Sequence, residues 1–444
     1  MRSTLTRLSL ASALLALSSQ GLAGDPSRLG KDLMPLGGEK AGNGDEIPAW
    51  DGGHVDKTHT SGERYVNPWP EDKPLFTVTK ENMGEYRDML SEGQVAMLER
   101  GNFKMPVYRT RRSAAAPEFI YEATKQNAAT AELKNDGESL HGAVTGIPFP
   151  MPENGKQVMW NHKLRYRGTA LTRYNNQAAV QQGGAFTIYK LKEDVKFAYN
   201  YPDVTLESLN NVSTFFLQKT LEPARQAGGI LLVHETIDQK AEPRRAWLYN
   251  PGQRRVRRAP NVAYNNPGTG ADGLRTNDQL DAYNGATDRY TFKLKGKREM
   301  IIPYNSYVLH SDEYSYDDVL GDETVNQDLT RYEIHRVWVV EATLNEGTSH
   351  IYKQRNFFVD EDSWSIALVD IYDKRDQLWR FQEAHWAPAY DLPAVLPVLG
   401  AVYDLQANRY LTMDMSNEDP EATLQDFDDE YFNPSNMKVV ARGR

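Results

Sequence analysis

A series of strand-like segments separated by short polar turns constrains the fold of this chain most strongly. Residues 332–344 alternate apolar and polar side chains, with Arg336 as the exception, and this is the period of a β-strand with two different faces. Similar segments follow at residues 350–359, 364–372, 377–386, 401–405 and 409–413. The polar segments between them have the lengths of hairpin loops. Consecutive hairpins predict an antiparallel meander.

The part of the chain before the meander mixes helical and strand-like patterns. Helices are predicted at residues 79–90, at residues 91–99 with a capping box of Ser91 and Gln94, at residues 117–133, and after Asn154. Strand-like runs occur at residues 185–191, 195–199, 229–237, 246–249 and 254–258. A further helix is predicted at residues 206–219, because apolar side chains recur there at helical spacing. Helices followed by a meander predict an α+β domain with its helices packed on one face of the sheet.

The two ends of the chain differ from this central part. Residues 1–23 carry Arg2 and Arg7, a short apolar stretch and a final Ala23, which predicts a cleaved secretory signal peptide. Residues 24–75 are rich in Gly and Pro and predict an extended arm, residues 76–413 a single α+β domain, and residues 414–444 a solvated acidic tail. No segment after the signal is long and apolar enough to span a membrane.

Composition narrows the compartment and the function classes. The 444 residues contain no cysteine, so disulfides, thiolate metal sites and catalytic thiols are excluded. Export without disulfides indicates the periplasm of a Gram-negative bacterium. The formal net charge is −10, and nucleic acid is therefore not an expected partner. His54 and His59 lack further ligands nearby, so neither a metal site nor a cofactor is predicted.

A search for catalytic motifs gives no candidate nucleophile or phosphate loop. Glu333 and His335 share one strand face, and Glu383 and His385 share another, so acid–base pairs are geometrically feasible. Surface or hydrogen-bonded histidines account for the same pattern. We therefore predict a protein that is not an enzyme and name no catalytic residue.

The most charged hairpin follows Trp247. Its turn is Asn-Pro-Gly-Gln at residues 250–253, a combination that favours a tight turn because Pro presets φ and Gly tolerates positive φ. The strand after the turn carries four arginines, namely Arg254, Arg255, Arg257 and Arg258. They could contact anionic head groups or an acidic partner, or they could simply protect an exposed sheet edge from aggregation.

Several separated motifs resemble those of an exported bacterial family, the domain of unknown function 1329 family, whose members are often described as outer-membrane lipoprotein-sorting-like. The matching stretches are Leu29-Gly30-Lys31-Asp32-Leu33 through Ile47-Pro48-Ala49-Trp50, Gly146-Ile147-Pro148-Phe149-Pro150, Trp160-Asn161-His162, Arg165-Tyr166-Arg167-Gly168, residues 247–264, and residues 335–342. The resemblance implies a strongly curved antiparallel sheet forming an incompletely closed β-barrel, with helices as plug or lid. It also implies two partners, an inner-membrane transporter of the resistance-nodulation-division class and an outer-membrane β-barrel.

The leading functional prediction is a periplasmic carrier or chaperone for a hydrophobic or lipid-like ligand, acting without catalysis. A structural adaptor between envelope components is the alternative, and a hydrolase using a histidine–carboxylate pair is a third hypothesis. The candidate ligand-binding residues are Leu209, Val212, Phe216, Leu232, Trp338, Val340, Trp379 and Phe381. The sequence alone does not separate cavity lining from filled core for this set.

Overall fold

Strands dominate the computed structural model, which describes residues 24–44, 46–259 and 264–442. The strands are β1 (Phe76–Val78), β2 (Met105–Val107), β3 (Glu132–Lys134), β4 (Ser139–His141), β5 (Ala170–Tyr174), β6 (Asn176–Val180), β7 (Ile188–Tyr189), β8 (Leu191–Phe197), β9 (Val212–Thr220), β10 (Ile230–Thr236), β11 (Arg245–Asn250), β12 (Arg255–Arg258), β13 (Tyr290–Pro303), β14 (Tyr332–Leu344), β15 (Gln354–Asp360), β16 (Ile366–Tyr372), β17 (Leu378–Ala389), β18 (Ala394–Asp404), β19 (Arg409–Met415) and β20 (Thr423–Leu424).

Helices are fewer and mostly short. The α-helices are α1 (Glu92–Glu99), α2 (Glu118–Thr130), α3 (Gly155–Leu164), α4 (Tyr316–Val319) and α5 (Met437–Val440). Single 3-10 turns lie at Pro26–Arg28, Met83–Met89, Ala198–Asn200, Asn277–Gln279, Val308–His310, Gln327–Leu329 and Asp429–Phe432. The predicted α+β class is confirmed.

The strands form two large sheets and one small hairpin. The eleven-stranded sheet has the order β1-β2-β14-β15-β16-β17-β18-β19-β6-β7, and β13 pairs with β14. The seven-stranded sheet has the order β12-β11-β10-β9-β8-β5-β20, while β3 and β4 pair with each other. Within the described ranges neither large sheet closes on itself. The incompletely closed barrel implied by the family resemblance is therefore not confirmed.

The predicted meander is confirmed as β14 to β19, in which each strand pairs antiparallel with the next. Its turns use residues that tolerate left-handed backbone. Asp376 between β16 and β17 has φ of 61°, and Asn408 between β18 and β19 has φ of 51°. Asn and Asp adopt this conformation more readily than other residues with a Cβ atom. Short hairpins are therefore compatible with the local sequence.

The predicted capping box at α1 also joins this helix to the meander. The Ser91 side chain accepts a hydrogen bond from the Gln94 backbone, and the Gln94 side chain accepts one from the Ser91 backbone. Asp370 of β16 then accepts hydrogen bonds from the Ser91 hydroxyl at 2.9 Å and from the Gly93 amide at 2.9 Å. A carboxylate at a helix N-terminus satisfies amides that have no partner within the helix. This contact fixes α1 on the sheet.

The helix predicted at residues 206–219 was wrong. Most of this segment is β9, which pairs with β8 on one side and β10 on the other. Asn210 and Asn211 have φ of 46° and 63°. This left-handed backbone is incompatible with a continuous α-helix and precedes the first residue of the strand. The following Val, Ser, Thr and Phe residues favour extended structure. Phe215 and Phe216 then point to opposite faces of a central strand, so the apolar spacing reflects two buried faces.

The C-terminal segment, predicted to be solvated, packs against the outer face of the seven-stranded sheet. β20 adds to this sheet beside β5. Phe432 and Met437 are fully buried, and the Phe432 ring stacks on Phe215 with centroids 5.4 Å apart. The prediction failed because the acidic composition concealed three aromatic residues, Phe427, Tyr431 and Phe432, which pack on one another.

Arg112 anchors the arm formed by residues 24–75. Its guanidinium donates to the Glu39 carbonyl at 2.7 Å and more weakly to the Lys40 and Pro48 carbonyls at 3.3 Å. The same side chain forms a buried pair with Asp362 at 2.7 Å. One guanidinium thus joins the arm to the turn between β15 and β16.

Replacing Phe432 by Ala should reveal how much the C-terminal segment stabilises the fold. We expect the free energy of unfolding to fall by about 3–5 kcal/mol, because the change leaves a cavity under a fully buried ring. Urea denaturation measures this value. The matched control is Glu430→Ala, because Glu430 is exposed and lies in the same 3-10 turn as Phe432. A loss below about 1 kcal/mol, comparable with an ordinary surface change, would contradict docking of this segment.

Candidate functional site

A cavity lies between the inner face of the seven-stranded sheet and β17 to β19 of the eleven-stranded sheet. The end of α3 and the segment 264–284 complete its wall. The space available to water centres is about 180 Å³, and the whole gap between the walls, including its part open to solvent, is about 1890 Å³. A single buried water needs roughly 10–15 Å³ on the smaller measure. The cavity therefore has room for a ligand and not just for isolated waters.

An apolar row crosses the inner face of the seven-stranded sheet. Leu171 of β5 lies opposite Val195 of β8, Val195 lies opposite Phe216 of β9, and Phe216 lies opposite Val233 of β10. All four side chains line the cavity. Directly opposed residues on adjacent strands point to the same side of a sheet. The register therefore places one continuous apolar band against the cavity.

Polar side chains flank the apolar row on both sides. A second row lies two residues further along the strands in one direction, and it contains Arg173, Glu193 and Gln218. Two residues in the other direction, Thr214 lies opposite Glu235. Each step of two residues corresponds to about 7 Å along a strand. Each flanking row also contains one apolar residue, Leu231 in the first and Phe197 in the second. The inner face is therefore apolar in its centre and mixed at its two ends.

The opposite wall is formed by small and apolar residues of the meander. Ala387 and Ala389 of β17 line the cavity, as do Leu396, Pro397 and Val398 of β18. Trp160 and Leu164 of α3 also line the cavity and pack with Leu171 and Val195 of the apolar row. The apolar row therefore faces apolar residues across the gap.

Most charges in the wall are held in ion pairs. Arg173 pairs with Glu193 at 2.9 Å, and Arg244 pairs with Glu235 at 2.6 Å. Arg167 pairs with Asp281 at 2.7 Å. These pairs connect β5 with β8, β10 with the segment before β11, and the segment after α3 with segment 264–284. Paired charges that are also hydrogen-bonded can remain ionised away from water.

Two cations in the wall lack an ion-pair partner within the described ranges, namely Lys163 and Arg275. The ammonium of Lys163 lies 4.3 Å from the centre of the Trp160 ring. Burial lowers the pKa of Lys163 to about 8, and burial also lowers the pKa of Arg275. Across the cavity, burial raises the pKa of Asp414 to about 6. The polar ends of the cavity therefore contain groups whose charge is costly without a ligand or counterion.

The structure brings one of the eight predicted ligand-binding residues to this cavity, which is Phe216. Val212 and Leu232 point to the outer face of the same sheet and pack with the C-terminal segment. Leu209 packs in the core beside α3. The remaining predicted residues lie in or against the core of the eleven-stranded sheet, and they are Trp338, Val340, Trp379 and Phe381.

The sequence analysis did not identify Leu171, Val195 or Val233 as cavity residues. A signal for this face was nevertheless present. In β8 and β10, Glu193 and Glu235 occupy the same strand face as the apolar Val195 and Val233. A charge on an otherwise apolar strand face indicates a wet or polar boundary.

The arginine hairpin forms as predicted from β11, a turn and β12. Arg254 has φ of 51° at the end of the turn, and Arg255 lies opposite Asn250. All four arginines are exposed, and no carboxylate of the described chain forms an ion pair with them. Arg255, Arg257 and Arg258 lie on the edge strand of the seven-stranded sheet, Arg254 lies in the turn before it, and none of the four is in the cavity wall.

The two histidine–carboxylate pairs lie in the core. His335 Nε2 is 3.0 Å from Glu333, and His385 Nε2 is 3.4 Å from Glu383. The Ser306 hydroxyl approaches His385 Nδ1 at 3.4 Å. Ser306, His385 and Glu383 are all buried, and none of them lines the cavity. Among the described residues, the serine and its two partners are therefore buried away from the cavity.

Comparison with known proteins identifies the family. The sequence model described as "Protein of unknown function (DUF1329)" matches residues 77–438. The chain is also 46% identical over 429 residues to an uncharacterized protein of Pseudomonas aeruginosa, with 94% of each chain covered. The chain therefore belongs to the DUF1329 family, and the resemblance inferred from its motifs is confirmed.

Two solved structures show weaker similarity. One, described as an outer membrane lipoprotein-sorting protein domain from Vibrio parahaemolyticus, has a TM-score of 0.43 and 13% identity and covers 64% of this chain and 97% of that chain. The other, a DUF1329 family protein from Desulfovibrio piger, has a TM-score of 0.41 and 16% identity and covers 60% of this chain and 91% of that chain. No helix in the described ranges combines the length and apolar composition needed to cross a bilayer.

Outside the cavity, three residues with metal-binding chemistry converge beside the arm. Donor atoms of His335, Asp360 and Asp362 lie within 4.8 Å of one another. Arg112 already donates to both Asp362 oxygens, at 2.8 and 2.7 Å, and Glu333 occupies one nitrogen of His335. Both Asp362 oxygens and one His335 nitrogen are therefore already engaged within the protein. The cluster is therefore better explained as an internal polar network, in which Asp360 Oδ1 lacks a partner among the described residues.

Asp360 should make the stability of the protein depend on pH. Burial and the nearby Asp362 carboxylate raise the pKa of Asp360 in the folded state. The free energy of unfolding therefore falls as pH rises from the unfolded-state pKa toward this raised pKa, and then levels off. Asp360→Asn cannot ionise. Between pH 5 and pH 8, the free energy of unfolding of the wild type should fall by at least about 1 kcal/mol more than that of Asp360→Asn. Urea denaturation at both pH values measures the difference.

Asp362→Asn is a second test of this network. It removes the carboxylate that pairs with buried Arg112 and should destabilise the protein at both pH values. It also removes one cause of the raised Asp360 pKa, so its stability should depend on pH less than that of the wild type. Equal pH dependence of the wild type and Asp360→Asn would show that Asp360 is already ionised at pH 5.

Proposed function

We propose that this member of the DUF1329 family is a non-catalytic periplasmic carrier or chaperone for a hydrophobic or lipid-like ligand. The observation that supports the proposal is the apolar row of Leu171, Val195, Phe216 and Val233 facing an unfilled gap. Apolar rows of this kind are normally buried against other side chains. Leu171, Val195 and Val233 are buried, the first two beside Trp160 and Leu164, whereas Phe216 is half-buried. A ligand chain would therefore cover mainly the part of the row around Phe216.

The gain from covering the row is large enough to support binding. Each buried methylene contributes roughly 0.8 kcal/mol, so ten methylenes would contribute about 8 kcal/mol before the costs of association. The ion pairs Arg173–Glu193 and Arg244–Glu235 at the ends of the apolar band hold neighbouring strands in position. A wall arranged before the ligand arrives reduces the ordering cost of binding.

The proposed place of action depends on the signal peptide expected at residues 1–23, which lie outside the described residues. In the periplasm, a carrier would receive its ligand from one membrane component and release it to another. The family resemblance suggests an inner-membrane transporter of the resistance-nodulation-division class and an outer-membrane β-barrel as these components. Both partners, and the identity of the ligand, are part of the proposal.

A structural adaptor is the second candidate function, and the arginine hairpin favours it. Arg254, Arg255, Arg257 and Arg258 are exposed on an edge strand and the turn before it, without ion-pair partners in the described chain. Such a surface suits anionic lipid head groups or an acidic partner. The hairpin could also assist the carrier by directing it to a membrane surface.

Filling the cavity should abolish ligand binding. Val233→Trp places a large ring against Phe216 and should reduce binding of the apolar dye N-phenyl-1-naphthylamine at least about tenfold, because the ring occupies the space for the dye. Fluorescence titration measures the affinity. Leu248→Trp, at a half-exposed position of neighbouring β11, is the matched control. Unchanged dye affinity in a folded Val233→Trp protein would contradict the cavity as the binding site.

The arginine hairpin should contribute to surface binding and not to stability. Replacing Arg255 and Arg257 together by Ser should change the free energy of unfolding by less than about 1 kcal/mol, because both side chains are exposed. Sedimentation with phosphatidylglycerol vesicles should show weaker binding by the variant, and the difference should be largest at low salt. Unfolding of the variant, or equal vesicle binding, would contradict this role for the hairpin.

A further inference from the structure

Arg275 is a buried cation of the cavity wall without an ion-pair partner in the described chain. It is 5% exposed and lines the cavity. Its two hydrogen bonds are long, at 3.3 Å to the Gln177 side chain and 3.4 Å to the Thr276 carbonyl, and its Nε has no partner in the described chain. A buried guanidinium normally has a carboxylate or several short hydrogen bonds. Arg275 has neither.

Nearby carboxylates cannot readily supply the missing contact because they have other partners. Glu193 accepts from Arg173, Gln218 and Asn175. Asp278 pairs with Arg355 at 2.9 Å. Asp414, whose pKa is raised by burial, is 3.3 Å from Arg173. The carboxylates near Arg275 are therefore paired with other cations, Arg173 and Arg355.

The guanidinium is also held in place by backbone. A Cβ atom at Gly268 would lie 2.3 Å from Arg275 Nη1, so the side chain packs directly on this glycine. Segment 264–284 thereby presents a fixed guanidinium to the cavity. Fixed donors are suited to binding an anionic group because little ordering remains to be done.

Lys163 differs from Arg275 in two respects. It is partly exposed, and its ammonium stacks over Trp160. Solvent and the ring can therefore compensate part of its charge. Glu235 and Glu193 lie at the two ends of the apolar band. Glu235 is among the charges that act on Lys163. Glu193 and Asp414 act on Arg275, which places the two cations at different ends of the band.

We infer that the cavity selects amphiphiles with an anionic oxygen head group, a carboxylate or a phosphate, and that Arg275 binds this group. The hydrophobic tail lies along the apolar row, whose centre is one step of about 7 Å from the row containing Arg173 and Glu193. The anion completes the guanidinium hydrogen bonds, and the tail covers the apolar side chains. This inference rests on the proposed carrier function and adds the chemical class of the ligand.

Competition among probes with the same twelve-carbon chain tests the inference. N-phenyl-1-naphthylamine is bound first and is then displaced, below their micellar concentrations, by dodecanoate, dodecyl phosphate, dodecanol or dodecyltrimethylammonium. At least one anionic probe should displace the dye at a concentration about tenfold or more below that of dodecanol, and the cationic probe should be weakest. The better of the two anionic probes identifies a carboxylate or a phosphate as the preferred head group.

Arg275→Gln and Arg275→Met should remove the preference for the anion, measured within each variant as the ratio of the dodecanol concentration to the anionic-probe concentration that displaces half of the dye. Arg225→Gln is the matched control, since Arg225 is exposed and does not line the cavity, and it should keep the preference. Both Arg275 variants should have an apo Tm at or above that of the wild type, because an unmatched buried charge has been removed. The preferred probe should raise the Tm of the wild type but not that of Arg275→Met.

The outcomes separate the two levels of the proposal. Dye binding without any preference for an anionic probe would overturn the head-group inference and leave the carrier function standing. Failure of the folded wild type to bind the dye and all four probes would overturn the carrier function itself. Unfolding of both Arg275 variants would show that Arg275 supports the fold, and it would also overturn the inference.

Discussion

The seven-stranded sheet must cover two apolar faces, and this requirement organises the rest of the structure. Its outer face is buried by the C-terminal segment through Phe432 and Met437. Its inner face carries Val195 and Phe216 and is turned toward the eleven-stranded sheet, across a gap that side chains do not fill. A sheet exposed to water on such a face would be prone to association. The two sheets therefore protect the face while leaving space beside it.

Charge explains why this space does not simply collapse. Arg173 with Glu193 and Arg244 with Glu235 hold their carboxylates in the wall. Closing the gap would remove water from these charges without offering better partners, and the desolvation penalty of each ion is several kcal/mol. Close packing of the small residues Ala387 and Ala389 would also require backbone movement. The wall is therefore a stable compromise between apolar burial and charge solvation.

Sequence reasoning succeeded where local patterns determine structure and failed where two interpretations share one pattern. The meander was predictable because alternation and short turns fix antiparallel pairing between neighbours. The segment containing Phe215 and Phe216 was misread because a central strand with two buried faces shows no clear alternation. The cavity was less accessible still. Leu171 and Val233 are 62 residues apart, and only the register of four strands brings them into one row.

The unmatched cations fit the general balance between stability and function. Lys163 and Arg275 cost the empty protein stability, since burial disfavours their charged forms. A protein optimised only for folding would replace them with apolar residues or give each a carboxylate. The neighbouring Arg173 shows that the fold can supply such a partner. Retaining an unsatisfied guanidinium beside an apolar row is therefore physically reasonable when a ligand brings both the anion and the hydrocarbon that the cavity lacks.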